Sequence, residues 1–224
     1  MGQDIVIQAP QGPIDAWRSA PPDRAAALGA VVVLQEIFGV NEHIRSVADG
    51  YAAAGYVALA PALFDPVSRN VELGYDEAGF ARGRALVSEL GTDRAVAIVR
   101  AAAAHLQAEG LKVAVVGFCW GGSMAFLANT RLGLPAVSYY GARTRPFLGE
   151  ALRAPMLFHF GEDDASTPPE DIQAHRDAYP EAELHVYPGT GHAFNRDVDP
   201  LHFHAASAAL ARRRTLAFLE TALR

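Results

Sequence analysis

One cysteine stands where a nucleophile would be placed. Val115-Val116-Gly117-Phe118-Cys119-Trp120-Gly121-Gly122-Ser123 reads as strand, sharp turn and helix, with Cys119 at the apex of G-x-C-x-G. That is the nucleophile-elbow pattern with Cys in the Ser position. Glycines two before and two after the apex suit a strained turn packed too closely for side chains. The turn presents the sulfur at the C-terminal edge of a sheet and at a helix N-terminus, whose partial positive charge favours thiolate. A lone cysteine is more often a buried structural residue, but the Gly-flanked strand-to-helix context favours the nucleophile. A phosphate-binding G-x-G-x-x-G turn would need glycine at position 119.

A nucleophile needs a base, and the base an orienting group. Elbow enzymes supply them in the chain order nucleophile, acid, histidine. Of eight histidines, six (His43, His105, His159, His175, His185, His204) lie inside predicted elements with no partner nearby, and His159 reads as structural. His192 differs. It sits in Pro188-Gly189-Thr190-Gly191-His192-Ala193-Phe194, a loop able to swing an imidazole over the sheet edge. His202-Phe203-His204 has a metal-like spacing but no Cys or carboxylate neighbours; it reads as surface, and no metal is expected. For the acid, Gly161-Glu162-Asp163-Asp164-Ala165-Ser166 follows a strand, and spacing alone does not separate Asp163 from Asp164. Thr167 with Glu170 reads as a capping box, with Pro168 at the first helical position.

One further carboxylate draws notice. Glu36 ends a fully apolar strand, at the same sheet edge as Cys119, although the usual fate of such a residue is a solvated strand-end charge. The loop it opens supplies one oxyanion-hole amide in this architecture, paired with the amide after the nucleophile. Those donors are Ile37 and Trp120.

Elements able to position these groups follow from periodicity. Ile5-Val6-Ile7 and Ile14-Asp15-Ala16-Trp17 read as a hairpin. Core strands are expected at 30–34, 56–60 (cut off by Pro61), 112–117, 135–140 and 155–160, with a last strand at 184–187. Helices are expected at about 41–54, 75–89, 93–107, 119–131 and 203–222. Strands alternating with helices imply a mostly parallel sheet covered on both faces. No repeat, low-complexity tract or linker marks a boundary, so a single domain over 1–224 is expected.

Composition narrows the class. The 224 residues are 50% hydrophobic and 20% charged, with a formal net charge of −6, which excludes a disordered or collagen-like chain. An acidic chain without a Lys/Arg cluster is a poor partner for nucleic acid or anionic membranes. A single cysteine forbids an internal disulfide and fits a reducing compartment. The N-terminus lacks a charged then apolar leader, and no apolar run approaches the ~20 residues of a membrane span. A soluble, cytoplasmic protein is expected.

Four segments together carry a resemblance. Glu36-Ile37-Phe38-Gly39, Gly117-x-Cys119-x-Gly121-Gly122, Tyr139-Tyr140-Gly141 and Gly191-His192-x-Phe194 occur in the order and spacing of dienelactone hydrolases. The chain resembles that family from about Gln3 to Leu219, and G-x-C-x-G sets it apart from the Ser elbow of ordinary lipases and esterases. The resemblance implies an α/β-hydrolase fold, with a mostly parallel central sheet, helices on both faces and no large lid. It implies a Cys119–His192–Asp164 triad, because the family pattern G-x-x-D-x-x-x-P matches Gly161, Asp164 and Pro168. It further implies that Glu36 partners the resting thiol and is displaced by an anionic substrate. Arg196, four residues after the histidine, takes the position of a substrate-carboxylate arginine, and Tyr140 and Phe38 line the pocket. The family's second carboxylate-binding arginine falls on Tyr75, with Arg82 one or two turns later as the candidate substitute.

The expected chemistry is acyl transfer from a small lactone or ester, anionic in the dienelactone case, through a thioester at Cys119. No metal or organic cofactor is called for, and a monomer or small homo-oligomer suffices. A general carboxylesterase or other lactonase is the alternative substrate reading. A thiol redox protein, showing peroxide reactivity without ester turnover, and a non-catalytic member of the fold rank below these.

Overall fold

A computed structural model describes residues 2–224. Its eight strands pair mostly in parallel, with six α-helices between and after them. The chain divides into two compact units, one up to Val115 with Leu223, the other from Val116 to Ala222 with Arg224.

In the first unit, β1 (Gln3–Ala9) and β2 (Gly12–Ser19) form the expected hairpin, with Val6 opposite Asp15. β2 runs antiparallel to β4 (Val57–Pro61), and β4 runs parallel to β3 (Ala30–Leu34). Every residue of β3 and β4 is buried, as continuous β-branched and small apolar runs require in a parallel sheet. Pro61 ends β4 from within, at a position paired with Ala16 of β2. α1 (Glu42–Ala53) starts at Asn41, whose side chain accepts the Ile44 N–H, and α2 (Glu77–Leu90) starts at Asp76, whose carboxylate accepts the Gly79 N–H. These caps satisfy amides that the helices cannot. α3 (Thr92–Gln107) precedes β5 (Val113–Phe118), which runs from the first unit into the second.

In the second unit, β6 (Ala136–Tyr139), β7 (Met156–Gly161) and β8 (Glu183–Tyr187) are parallel neighbours in that order. β6 and β7 are buried throughout, whereas β8 is buried only at Tyr187. α4 (Trp120–Leu132) is buried at every position from Gly121 to Thr130, so it lacks a polar face. α5 (Pro169–Ala178) and α6 (Ala205–Ala222) complete the unit. α6 buries Ser207, Ala208, Ala211, Thr215 and Leu219, which fall on one face at helical spacing.

Two local expectations fail. The Thr167–Glu170 capping box does not form: Pro168 is the N-cap, in extended conformation, and Pro169 is the first helical residue. A residue before proline is driven out of the helical region, so the Pro-Pro pair delays α5 by one position. Pro168 O then accepts the Asp171 and Ile172 amides at 2.8 and 3.2 Å. The histidines taken to lack partners mostly have them. His175 bonds Thr144 and the Asp171 carbonyl, both at 2.7 Å, and His185 bonds Glu183 at 2.6 Å.

Candidate active site

At the end of β5 the backbone turns sharply at Cys119, with φ 53° and ψ −119°. A non-glycine residue held there stores about 1–3 kcal/mol of strain, so its surroundings must hold it. The Cys119 N–H donates to Tyr139 O at 3.0 Å, and Cys119 O accepts the Gly122 N–H at 2.9 Å. Gly117 shows why the motif needs glycine. A Cβ there would stand 1.9 Å from Gly121 O, closer than any side-chain carbon survives. The sulfur therefore sits at the start of α4, whose first turn has no acidic residue to cancel the helix's positive end.

Asp164 and His192 complete the arrangement. Asp164, 2% exposed, meets His192 Nδ1 through Oδ2 at 2.7 Å and accepts the Ser166 N–H through Oδ1 at 2.7 Å. Burial works against the Asp164 charge, yet the hydrogen bond and charge of His192 and the Ser166 amide outweigh it and hold the carboxyl below its ordinary 3.8. Asp163 lies exposed one peptide away. The two aspartates that spacing left equal are thus separated by burial and by one hydrogen bond.

His192 is fixed by its loop. Phe194 is fully buried, its ring 5.1 Å from Tyr187 and 5.4 Å from Tyr140, and its carbonyl accepts the His204 N–H at 3.0 Å. With Nδ1 on Asp164, Nε2 is left available, and Cys119 interacts with the imidazole electrostatically. Burial disfavours the imidazolium. The charge of Cys119, with hydrogen bonding to Asp164 and Cys119, overrides this and raises His192 well above 6.5. The Tyr140 ring lies across the imidazole at a steep angle, their centres 5.0 Å apart. Tyr140 is itself wholly buried, with φ 42°. Trp120 supplies the first amide of α4.

Arg196 lies in the same loop, 2% exposed. Its Nε and terminal nitrogen donate to Asp199 Oδ2 at 3.2 and 2.7 Å, and His202 Nδ1 bonds the same oxygen at 2.7 Å. Asp199 escaped the sequence reading. Its signal, an acid three residues after a candidate substrate arginine, was present.

The remaining expected residues belong to the first unit. Glu36 is 1% exposed, so it is not the solvated strand-end charge that such residues usually become. Its carbonyl accepts Gln35 Nε2 at 3.2 Å, while Gln35 Oε1 accepts the Leu63 N–H at 3.0 Å. Ile37 is 8% exposed and presses on α2, where a Cβ at Gly83 would stand 2.4 Å from Ile37 O. The Phe38 ring is enclosed by Tyr75 at 4.7 Å and Phe80 at 5.0 Å. Tyr75 Oη accepts Asn41 Nδ2 at 3.0 Å, which ties the loop to the cap of α1. Arg82, on α2, is exposed. This unit also holds a cavity of about 500 Å³, lined by Trp17, Arg45, Asp65 and Glu72 among others. None of the expected site residues lines it. Among the described residues, no group of three or more His, Cys, Asp or Glu is placed to hold a metal ion, and no helix is long and apolar enough to cross a membrane.

Strand, cysteine elbow, helix, then acid and histidine on later loops are the arrangement of α/β hydrolases. A lidless α/β serine hydrolase from Xanthomonas campestris shares this fold, with TM-score 0.67 and 18% identity over 95% of this chain and 94% of that one. The family is more specific. The model of the dienelactone hydrolase family matches residues 14–223, and the chain belongs to that family of hydrolases. An Escherichia coli protein named "Putative carboxymethylenebutenolidase" is 34% identical over 220 residues, covering 90% of this chain and 80% of its own. The structure of a "Putative Dienelactone Hydrolase" from Klebsiella pneumoniae aligns with TM-score 0.88 and 29% identity, covering 98% of each chain.

Proposed function

We propose that this hydrolase cleaves a lactone or ester through a thioester at Cys119. The observation that carries the reading is one set: a strained cysteine at the start of α4, an imidazole whose ionisation that cysteine favours, and a buried aspartate 2.7 Å from that imidazole. His192 takes the thiol proton, and the sulfur attacks the substrate carbonyl carbon. The oxyanion is assigned to the Trp120 and Ile37 amides, the second on the family resemblance alone. Collapse breaks the acyl–oxygen bond, and the imidazolium gives its proton to the departing oxygen. Water then attacks the thioester, loses a proton to His192, and releases the carboxylic acid. The proton returns to sulfur. Asp164 holds the imidazole in the required tautomer and stabilises its charged form.

For the substrate, the relatives' name points to a carboxymethylenebutenolide, a lactone that carries a carboxylate, opened to a maleylacetate-type product. Arg196 is assigned to that carboxylate, with Glu36 partnering the resting thiol until an anionic substrate displaces it. Tyr140 and Phe38 are assigned to the pocket and Arg82 to a second anion contact. A neutral carboxylester is the second reading, favoured by one observation: Arg196 already holds the Asp199 carboxylate. Assaying purified protein with dienelactone and with neutral nitrophenyl esters, each with Cys119→Ala alongside, tests both. Turnover that disappears in the variant supports the thioester route, and turnover that persists removes it.

A further inference from the structure

Below the elbow lies a buried polar chain with no part in the scheme above. His159, on β7, is wholly buried, and both ring nitrogens are engaged: Nδ1 with Tyr187 Oη at 2.8 Å and Nε2 with Thr215 Oγ1 at 3.0 Å. Thr215, also wholly buried, sits on α6 and meets Tyr139 Oη at 2.7 Å. Arg214, the residue before it, bonds the Tyr187 hydroxyl.

Proton counting gives the chain a direction. An arginine can only donate, so Tyr187 Oη accepts from Arg214 and passes its own proton to His159 Nδ1. The imidazole then donates from Nε2 to Thr215, whose hydroxyl donates to Tyr139. Each group accepts from one neighbour and donates to the next. An imidazolium would break the sequence, because Nδ1 would carry a proton facing the Tyr187 proton. Burial, with the charges of His185 and Arg214, keeps His159 neutral, far below 6.5.

The chain ends on Tyr139, which with its neighbour Tyr140 backs the site. Tyr139 pairs in register with His159, its ring 4.5 Å from the imidazole, and its carbonyl receives the Cys119 N–H. Tyr140 donates its N–H to His159 O at 2.7 Å, and its ring centre lies 5.0 Å from that of His192. His159 thus holds Tyr139 by side chain and Tyr140 by backbone. One of these carries the elbow, and the other supports the imidazole.

We infer that His159, acting through Thr215 and the Tyr139–Tyr140 pair, is a positioning residue that fixes Cys119 relative to His192. The inference rests on the Cys119–His192 reading above. Thr215→Val keeps the shape of the side chain but cuts the chain between His159 and Tyr139. It should slow iodoacetamide labelling of Cys119 and lower kcat for a nitrophenyl ester, each by about fivefold or more with KM within about twofold, since small misplacements of reacting groups are costly. Thr215→Ser restores the hydroxyl and should restore both rates. Leu219→Val, buried on the same helix, supplies a matched loss of thermal stability that should change neither. If Thr215→Val behaves like Leu219→Val, the inference is overturned. Labelling needs no substrate, so the two ideas fail separately. Absence of ester turnover in the unsubstituted protein would remove the hydrolase reading, while labelling that follows the Val and Ser pair would keep the positioning role.

Discussion

At Asp164 a buried carboxylate accepts from both an imidazole and an amide, whereas Asp163 faces water. Removing charge at the two positions should therefore have unequal consequences. Asp164→Asn should lower kcat by roughly 10²–10⁴, because the imidazole loses the group that selects its tautomer, while Asp163→Asn should stay within about twofold, as surface changes do. Comparable losses at both would contradict the assignment. The coupling of sulfur and imidazole has its own signature. The Cys119 charge helps to raise His192, so in Cys119→Ala that support is gone while burial remains. The His192 ring protons, followed by NMR, should titrate at lower pH in Cys119→Ala than in the unsubstituted protein. An unchanged midpoint would mean that the two groups do not interact.

Among the elements, the elbow and the histidine loop carry the proposed chemistry. Gly117→Ala should disrupt the first without touching a reactive group. Its Cβ would collide with the Gly121 carbonyl, and overpacking of this kind typically costs 1–3 kcal/mol or about that order. Both Tm and turnover should fall; a variant of normal Tm and full activity would show that the turn relaxes freely. In the second, Asp199 holds Arg196 and, if Arg196 binds the substrate carboxylate as proposed, would compete with it. Asp199→Asn should lower KM for a carboxylate-bearing lactone relative to a neutral ester by about tenfold or more, the scale of one charge-assisted hydrogen bond gained. Equal changes on both substrates would assign Arg196 to bracing the loop.

What could be read in advance at this scale was local. Ala30 to Leu34 is a strand at the expected residues because an unbroken apolar run permits little else. The elbow was legible because its glycines are set by steric contacts a few residues apart. Partners from distant segments were not. His159 meets Thr215 across 56 residues and His175 meets Thr144 across 31, and nothing in the local pattern of either histidine announces a hydroxyl. The start of α5 was misplaced because a capping pattern was read without the steric effect of Pro169 on Pro168.

For the whole molecule, ionisation sets how stability depends on pH. His159 and His175 have folded values below the ordinary 6.5 because burial opposes their charge. Below about pH 6.5 the unfolded chain binds these protons more readily, so stability present above that pH is lost as pH falls. His192 behaves oppositely. Its raised value gives stability that is complete below 6.5 and declines as pH rises through the folded value. Asp164 and Asp199 lie below 3.8 and Glu150 below 4.5, so their contributions persist above those values and vanish only in stronger acid. Urea midpoints should peak near neutrality, fall between about pH 6.5 and 5, and fall again below about pH 4. A midpoint constant from pH 7.5 to 4.5 would contradict the buried, neutral histidines.

The central claim is that acyl transfer passes through Cys119, and trapping the intermediate tests it most directly. The protein is mixed with a nitrophenyl ester, quenched in acid during turnover, digested and examined by mass spectrometry. A thioester on the peptide containing Cys119, absent in Cys119→Ala and removed by hydroxylamine, is the predicted result. An acyl group on another side chain, or ester turnover undiminished in Cys119→Ala, would contradict it.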